Sequence, residues 1–316
     1  MRALVTGCAG FIGSHLSERL LALGHEVVGV DCLTSFYDPR LKRETLATLE
    51  AHRCFEHRLV DLGRDPLGDL LDGVGAVYHL AGEPGVRQSF EDAAPYRHNN
   101  VVATRRLLAA AARRPLQAFV YASSSSVYGD RADDRPMHED DALAPVSPYA
   151  HTKVEVERLA GMARARHGVP AVGLRFFSIY GPRQRPDMAF QRFLERAAEG
   201  RPITIFGDGA QRRDFTYVGD AVDAAIAATA ARRAVYNVGG GHPTSLTHVL
   251  ALVGELLERE LTVEHRPAAR GDVRRTLADT TRARRELGFT PRLELAKGVA
   301  QQLDWLLARQ PARAAA

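Results

Sequence analysis

The chain has 316 residues, of which 45% are hydrophobic and 25% are charged, which excludes a small disulfide-stapled domain and a disordered chain. No apolar run approaches the roughly 18 residues of a membrane span, so we expect no membrane association. The formal net charge is +4, but the basic residues, all arginines except three lysines, are scattered among acids, so no nucleic-acid partner is predicted. Cys8, Cys32 and Cys54 lack metal-ligand spacing, which predicts no metal site and a cytoplasmic location.

The first half of the chain alternates apolar, strand-like runs with segments of helical period. The pattern predicts strands at Arg2–Thr6, Glu26–Asp31, Phe55–Val60, Ala76–Leu80, Ala118–Ala122 and Ala171–Phe177. It predicts helices between them at Phe11–Leu23, Leu41–Ala51, Pro95–Arg113 and Tyr149–Arg166. This alternation predicts an α/β fold with a doubly wound parallel sheet.

A glycine-rich loop follows the first predicted strand. Strand RALVT leads directly into Gly7, Gly10 and Gly13 and then into a helix, where backbone N–H groups can bind a pyrophosphate. Gly7 permits a sharp turn, Gly10 lets the phosphates approach, and Gly13 lets the helix pack closely on the sheet. The loop, with Phe11 and Ile12, is therefore predicted to bind a dinucleotide.

Asp31 ends the second predicted strand. A carboxylate at this position can accept hydrogen bonds from both hydroxyls of an adenosine ribose and repels a 2′-phosphate, which favours NAD over NADP. The third and fourth strands end at the same edge of the sheet, so further cofactor contacts are predicted at Asp61, Leu62, Leu80, Ala81, Gly82 and Asn99.

Tyr149 and Lys153 lie four residues apart at the start of a predicted helix, so their side chains share a face. An ordinary phenol titrates near ~10, and an adjacent ammonium favours the phenolate, which makes this tyrosine a usable base. Four serines, at 123–126, follow the fifth strand at the edge that carries the glycine loop. One of their hydroxyls can hold a substrate oxygen while Tyr149 takes its proton and a nicotinamide takes the hydride.

These residues belong to a longer ordered set of motifs, namely TGCAGFIGSHL, Asp31, HLAG, SSSSVYG, YAHTK, RFFSIYGP, FGDG and RRDFTYV. Over almost the whole chain, the set resembles the extended short-chain dehydrogenases/reductases and, within them, the NAD-dependent nucleotide-sugar epimerases and dehydratases. The segments DCLTSFYDPRLKR, PGVRQSFEDAAPY and YGPRQRPDMAF look most like UDP-glucuronate 4-epimerases. The resemblance implies a tightly bound, recycled NAD and a homodimer formed through the helices Pro95–Arg113 and Tyr149–Arg166.

By position, the resemblance makes Ser124 the catalytic hydroxyl, Tyr149 the base, and Lys153 its partner at the nicotinamide ribose. Dehydratases of the family carry Asp and Glu directly after that hydroxyl, and decarboxylases carry a Glu in the same stretch, whereas this chain has Ser125 and Ser126. Elimination is thereby disfavoured. The implied reaction is oxidation of a UDP-sugar at C4, rotation of the 4-keto sugar, and reduction of its other face, which converts UDP-glucuronate to UDP-galacturonate.

An anionic sugar nucleotide requires cations in the substrate site. The resemblance places Arg87 and Arg213 at the diphosphate and Asp272 near the uridine ribose, and it leaves a contact from Arg270 open. Arg185, the extra arginine beside the sugar, is the candidate for the sugar carboxylate. The other expected substrate contacts are Ser125, Ser126 and Ser178 at the sugar, Arg192 among the cations, and Phe206 against the base of the nucleotide.

The less regular pattern after Tyr180 predicts a second, smaller region. We expect residues 1–177, with 213–239 returning to them, to form the NAD-binding Rossmann domain, and residues 178–212 and 240–316 to form a substrate-binding α/β lobe. Four alternative functions stay open: a UDP-glucose 4-epimerase, a UDP-glucuronate decarboxylase, a 4-ketoreductase, and a non-catalytic NAD-binding sensor. Intact Ser124, Tyr149 and Lys153 argue against the sensor, which has no need of a phenolate.

Overall fold

The computed structural model of the chain describes residues 1–131 and 133–314. The strands are β1 (Arg2–Thr6), β2 (Glu26–Asp31), β3 (Phe55–Leu59), β4 (Ala76–His79), β5 (Ala118–Ser124), β6 (Ala171–Phe176), β7 (Ile179–Tyr180), β8 (Ile203–Phe206), β9 (Arg212–Asp214), β10 (Thr216–Tyr217), β11 (Val235–Val238), β12 (Pro243–Ser245) and β13 (Val263–Arg266). The helices are α1 (Phe11–Ala22), α2 (Pro39–Glu50), α3 (Ala94–Tyr96), α4 (Ala103–Ala111), α5 (Pro148–His167), α6 (Ala189–Ala198), α7 (Val218–Ala227), α8 (Leu246–Leu256), α9 (Thr281–Leu287) and α10 (Leu295–Ala314). A π-helical segment, Arg97–Val102, joins α3 to α4.

The main sheet has the strand order β11-β6-β5-β4-β1-β2-β3, and all its strands are parallel. From β1 the chain moves outward through β2 and β3, and it then returns to the other side of β1 as β4. The direction of winding therefore reverses between β1 and β4, and a crevice at the carboxyl ends of these two strands is the position where such sheets bind ligands.

Alternate residues of each central strand face opposite layers of helices. Ala3 and Val5 of β1 pack into a core that also contains Leu16 and Leu20 of α1 and buried side chains of α2 and α7. Leu4 packs on the opposite face, in a core with α4 and α5. Because helices cover both faces, β1, β4 and β6 are apolar along nearly their whole length rather than alternating.

A second region packs α6, α8 and α10 around the short strands β8 and β13. Aromatic side chains pack together in this core, and the ring centroids of Phe190 and Phe215 are 4.6 Å apart. The strand β11, from the middle of the second half, joins the edge of the main sheet beside β6. The division of the chain into two domains stays a prediction.

The predicted α/β fold with a doubly wound parallel sheet is confirmed. In the described part of the chain, no helix combines the length and the hydropathy needed to cross a membrane.

Candidate active site

A cleft of about 470 Å³ opens at the carboxyl edge of the sheet, beside the point where winding reverses. Its lining includes the predicted catalytic residues Ser124, Tyr149 and Lys153. The predicted cofactor residues line it as well, namely Gly7, Gly10, Phe11, Ile12, Gly13, Asp31, Asp61, Leu62, Leu80, Ala81, Gly82 and Asn99. The predicted substrate residues in its lining are Arg87, Ser125, Ser126, Ser178, Arg185, Arg213 and Asp272. The structure thus brings residues from both halves of the chain to one cleft.

The glycine loop fixes the start of α1 against the sheet. Gly7 has a φ of +72°, a left-handed conformation that glycine adopts without steric cost, and its N–H donates to the Val30 carbonyl oxygen at 2.7 Å. A Cβ added to Gly13 would overlap the Gly7 carbonyl oxygen. No side chain caps the N-terminus of α1 at Gly10, so the N–H groups of its first turn are available to an anion.

Asp31 is buried at the end of β2. Its carboxylate accepts hydrogen bonds from the N–H groups of Ala9 (3.2 Å) and Leu33 (2.8 Å), and its Oδ1 lies 4.0 Å from Lys42 Nζ. Lys42 was not among the predicted site residues. It is buried, lines the cleft, and donates to the carbonyl oxygen of Thr34 at 3.0 Å. Its rarity was a signal, because it is one of only three lysines in the chain.

Helix α5 places Tyr149 and Lys153 one turn apart. The Ser147 hydroxyl accepts from the Ala150 N–H and caps the helix, and Pro148 occupies its first turn. Tyr96, which the sequence analysis missed, packs its ring edge-on against Tyr149, with centroids 6.2 Å apart. Tyr149 is therefore positioned by the cap at the start of its helix and by an aromatic ring beside it.

Burial raises the pKa of Tyr149, while a hydrogen bond with Ser124 and the charge of Arg185 act to lower it. This direction is opposite to the one expected from a neighbouring ammonium alone. Burial lowers the pKa of Lys153 to about 8, opposed by Glu157, and Lys153 Nζ donates to the Ala122 carbonyl oxygen at 2.9 Å. Burial thus acts on both groups toward their uncharged forms.

The serines after β5 have different partners. Ser124 Oγ accepts from the N–H of Ser126 (3.2 Å) and from its hydroxyl (2.8 Å), next to Tyr149. Ser123 instead donates to Glu157 Oε1 at 2.5 Å, in a buried network with the Arg175 guanidinium. The geometry therefore distinguishes Ser124, whose hydroxyl lies beside Tyr149, from Ser123, whose hydroxyl is bonded to Glu157.

At the other end of the cleft, Asp272 lies between two predicted diphosphate ligands. Arg213 Nη2 donates to Asp272 Oδ1, and Arg87 Nη2 is 3.5 Å from Oδ2. The Arg87 guanidinium stacks on the Phe206 ring at 4.1 Å. Two of the predicted substrate residues, Phe206 and Arg192, are not part of the cleft lining in the described part of the chain. Arg192 is half-buried, and burial together with the nearby charge of Arg87 lowers the pKa of Arg192.

Arg270 stacks on the ring of Phe90, 4.3 Å from its centroid, and is not part of the cleft lining in the described residues. Its side chain is therefore held by an aromatic face rather than by the groups around Asp272.

Arg185 lines the cleft and forms a forked ion pair. Its Nε and Nη2 donate to Asp187 Oδ1 and Oδ2, both at 3.0 Å. Asp187 was not among the predicted site residues. Glu83, also not predicted, is a buried carboxyl in the lining that accepts from Asn99 at 2.8 Å, and burial raises its pKa.

A doubly wound sheet with an open glycine loop, a carboxylate at the end of β2 and a serine, tyrosine and lysine at one edge defines a nucleotide-dependent enzyme. Consistent with this, the model of the NAD dependent epimerase/dehydratase family matches residues 3–239. The chain belongs to this family.

Individual relatives are similar over nearly their whole length. The chain is 39% identical over 311 residues to an uncharacterized UDP-glucose epimerase, YtcB, of Bacillus subtilis (strain 168), with 97% of this chain and 98% of the relative covered. It is 35% identical over 308 residues to a UDP-glucuronate 4-epimerase of Thermodesulfobacterium geofontis (strain OPF15), with 96% and 95% covered. Among solved structures, UDP-glucuronic acid 4-epimerase from Bacillus cereus in complex with UDP-glucuronic acid and NAD has a TM-score of 0.94 and 37% identity, with 98% and 99% covered. The predicted family and the predicted NAD-dependent enzyme class are confirmed.

Proposed function

We propose that the chain is an NAD-dependent UDP-sugar 4-epimerase whose substrate is UDP-glucuronate and whose product is UDP-galacturonate. One observation carries the proposal: Ser124 and Tyr149 share a cleft with Arg185, while serines occupy the two positions after Ser124. The two positions after Ser124, where dehydratases of the family carry Asp and Glu, hold no acid, which disfavours protonation of a leaving hydroxyl. The names of the relatives from Thermodesulfobacterium geofontis and Bacillus cereus support the same substrate.

The residues present fit NAD. The uncapped N-terminus of α1 and the left-handed turn at Gly7 leave a cradle for a pyrophosphate, and Asp31 stands where the adenosine ribose would lie. A 2′-phosphate would meet the Asp31 carboxylate, which favours NAD over NADP. When bound, NAD supplies the acceptor and donor of the C4 hydride.

In the proposed reaction, Tyr149 takes the proton of the C4 hydroxyl, which Ser124 holds by a hydrogen bond. Lys153, one turn further along α5, provides the positive charge that favours the phenolate. The same tyrosine returns the proton to the same oxygen after the 4-keto sugar has turned its other face. Arg87 and Arg213 hold the diphosphate during this rotation, with Asp272 beside them at the uridine ribose.

Arg185 is the proposed ligand of the sugar carboxylate, with Ser178, Ser125 and Ser126 nearby. Its guanidinium already forms a fork with Asp187 and can offer the same geometry to a substrate carboxylate. The variant Arg185→Ala should raise the KM for UDP-glucuronate by about tenfold or more. An equal loss of turnover on UDP-glucose and UDP-glucuronate would contradict the carboxylate role.

The overall proposal is tested by incubating the purified protein, without added cofactor, with a panel of UDP- and dTDP-sugars. We expect UDP-galacturonate from UDP-glucuronate, resolved by anion-exchange chromatography, and no released carbon dioxide. Epimerisation of UDP-glucose alone would favour the activity named for the Bacillus subtilis relative. Released carbon dioxide would indicate a decarboxylase, stoichiometric consumption of added NADH a ketoreductase, and NAD binding without turnover a sensor.

We also propose a cytoplasmic homodimer. Ala109 of α4 and Gly161 of α5 are small, exposed residues on the outer faces of the two helices, which would permit close packing against a second copy. Cys8, Cys32 and Cys54 are all unpaired, as expected in a reducing compartment. Light scattering during gel filtration would give the mass, and a monomer at micromolar concentration would contradict the dimer.

A further inference from the structure

The loop between β7 and α6, residues 181–188, contains Arg185, which lines the cleft, and contacts helix α1. Two residues before Arg185, Arg183 has a φ of +63°. A residue with a Cβ rarely adopts this left-handed conformation, which is strained unless surrounding contacts hold it. The contacts that hold it are made by the Arg183 side chain.

Arg183 forms a fork with Glu18 of α1, with Nη1–Oε1 at 2.7 Å and Nη2–Oε2 at 2.6 Å. Its Nη2 also donates to His15 Nδ1 at 2.7 Å, and His15 Nε2 donates to the Pro182 carbonyl oxygen at 2.8 Å. Burial and the Arg183 charge lower the pKa of His15 to about 4, so the ring is neutral and can accept at Nδ1. We call His15, Glu18 and Arg183 the His15 cluster.

The His15 cluster is connected to the cofactor end of the cleft. Phe11, the first residue of α1 and part of the cleft lining, packs its ring edge-on against His15, with centroids 6.0 Å apart. On its other side the loop is fixed by Gln184, whose amide donates to the Ile179 carbonyl oxygen and accepts from the Gln191 N–H, both at 2.9 Å. The loop is therefore attached to both regions of the molecule immediately before Arg185.

We infer that the His15 cluster positions Arg185 for the carboxylate of the sugar. The inference rests on the proposed function, since it concerns recognition of UDP-glucuronate. Arg87 and Arg213, the proposed diphosphate ligands, belong to other segments, the loop after β4 and the strand β9. Loss of the cluster should therefore weaken binding of the sugar carboxylate and leave binding of the nucleotide diphosphate unchanged.

The test is the variant Glu18→Gln, which removes the charge that pairs with Arg183 while keeping the size of the side chain. We expect the KM for UDP-glucuronate to rise about tenfold and kcat to stay within about twofold. The Kd of UDP, measured by calorimetry on the NAD-loaded enzyme, should not change. Arg183→Lys, which cannot form the fork, should act in the same direction. Arg19→Gln is the matched control, because Arg19 lies on the same helix in an exposed pair with Asp223 and should leave all three constants unaltered.

A double variant separates positioning from general damage. If Glu18 acts through Arg185, adding Glu18→Gln to Arg185→Ala should raise the KM no further than Arg185→Ala alone. Additive effects, or an equal weakening of UDP binding, would overturn the inference. If Glu18→Gln unfolds at a clearly lower temperature, Arg183→Lys takes its place in the cycle. Failure of the proposed function is seen separately, as absence of UDP-glucuronate turnover by the unaltered enzyme.

Discussion

The two ends of the cleft are built in different ways. At the cofactor end, the polar groups are held by the backbone: Asp31 accepts from two backbone N–H groups, and Lys153 donates to a carbonyl oxygen. At the substrate end, the charged groups are held by one another: Arg185 pairs with Asp187, and Arg213 and Arg87 converge on Asp272. Backbone contacts leave a group fixed whether or not a ligand is present, whereas a side-chain ion pair can exchange one carboxylate for another.

This difference suits the proposed reaction. A cofactor that is recycled in every turnover benefits from a site that is already arranged, because little ordering entropy is lost when it binds. A sugar that must rotate to present its other face between oxidation and reduction requires ligands that hold its diphosphate and carboxylate without fixing its ring. The following predictions test whether the cofactor end is indeed rigid and the substrate end exchangeable.

The largest effect is expected from Tyr149→Phe. Removing the phenol hydroxyl should lower kcat by about 10² to 10⁴-fold, because it removes the group beside Ser124 that takes the proton. The NAD content and the thermal unfolding temperature should stay unchanged, since the ring still packs against Tyr96. Product formation followed by chromatography provides the measurement, and a variant that keeps a tenth of the activity would show that another group acts as the base.

The rigidity of the cofactor end should appear as a loss of folding stability at acid pH. His79, at the end of β4, hydrogen-bonds the hydroxyls of Thr6 and Thr104, both at 2.8 Å, and burial lowers its pKa to about 3. Below pH 6.5, His79 therefore binds a proton in the unfolded chain but stays neutral in the folded chain. The free energy of unfolding thus falls as the pH decreases from 6.5 toward 3. We expect this histidine to contribute up to about 1.4 kcal/mol per pH unit to that fall.

Urea denaturation at pH 6.5, 5.5 and 4.5 measures the slope. The variant His79→Gln should be less stable at pH 6.5 but should lose stability less steeply on acidification. His167→Gln, which changes an exposed histidine at the end of α5, serves as the control and should keep the original slope. A slope that is the same in all three proteins would show that His79 is readily protonated in the folded state.

A smaller effect is expected at the ribose position. Asp31→Asn keeps the shape of the side chain but removes its charge, and it should weaken NAD binding by about 10- to 100-fold, as is typical for loss of a charge-assisted hydrogen bond. The preference for NAD over NADP should fall at the same time, because the repulsion of a 2′-phosphate is lost. Calorimetry on cofactor-free protein gives both constants, with Asp69→Asn, an exposed carboxylate paired with Arg58, as the control.

The smallest effect has the opposite sign. Since Asp187 pairs with Arg185 in the structure, it competes with a substrate carboxylate for the same guanidinium. Asp187→Asn should therefore lower the KM for UDP-glucuronate by about threefold. The exposed carboxylate Asp223, changed to Asn, is the control. A higher KM in Asp187→Asn would show that the ion pair orients Arg185 rather than competing for it.

Much of the main sheet follows from sequence. The strands β1, β2, β4, β5 and β6 are largely buried, so each appears as an apolar run whose ends lie within three residues of the predicted ones. The edge strand β3 is only partly buried, and its predicted end, Val60, lies one residue beyond the observed one. The start of α2 was set too late, at Leu41 instead of Pro39, although Asp38 followed by Pro39 is a typical cap signal. The segment PITIFG predicts a strand where β8 lies, but its partner β13 and the pair β9 with β12 were not predicted, because such short strands carry little periodicity and their partners are distant in sequence.

The site shows the same division. Residues at the ends of parallel strands, such as Asp31 and Ser124, could be placed on one edge because the topology fixes that edge. The partners of the arginines could not, since Asp187 and Asp272 reach them through loops whose path no periodic pattern describes. Asp272 was expected at a ribose, and its contact with Arg213 emerges only from the three-dimensional arrangement.

Composition and structure together give the chain a chemical handle. Of its three lysines, Lys42 and Lys153 line the cleft, whereas Lys297 is 67% exposed on α10. Coupling through amines would therefore attach the molecule to a surface by α10 or by its N-terminus, with the cleft left open. In peptide mapping after treatment with an amine-reactive reagent, Lys297 would supply an internal standard for accessibility, against which protection of the two cleft lysines by NAD could be read directly.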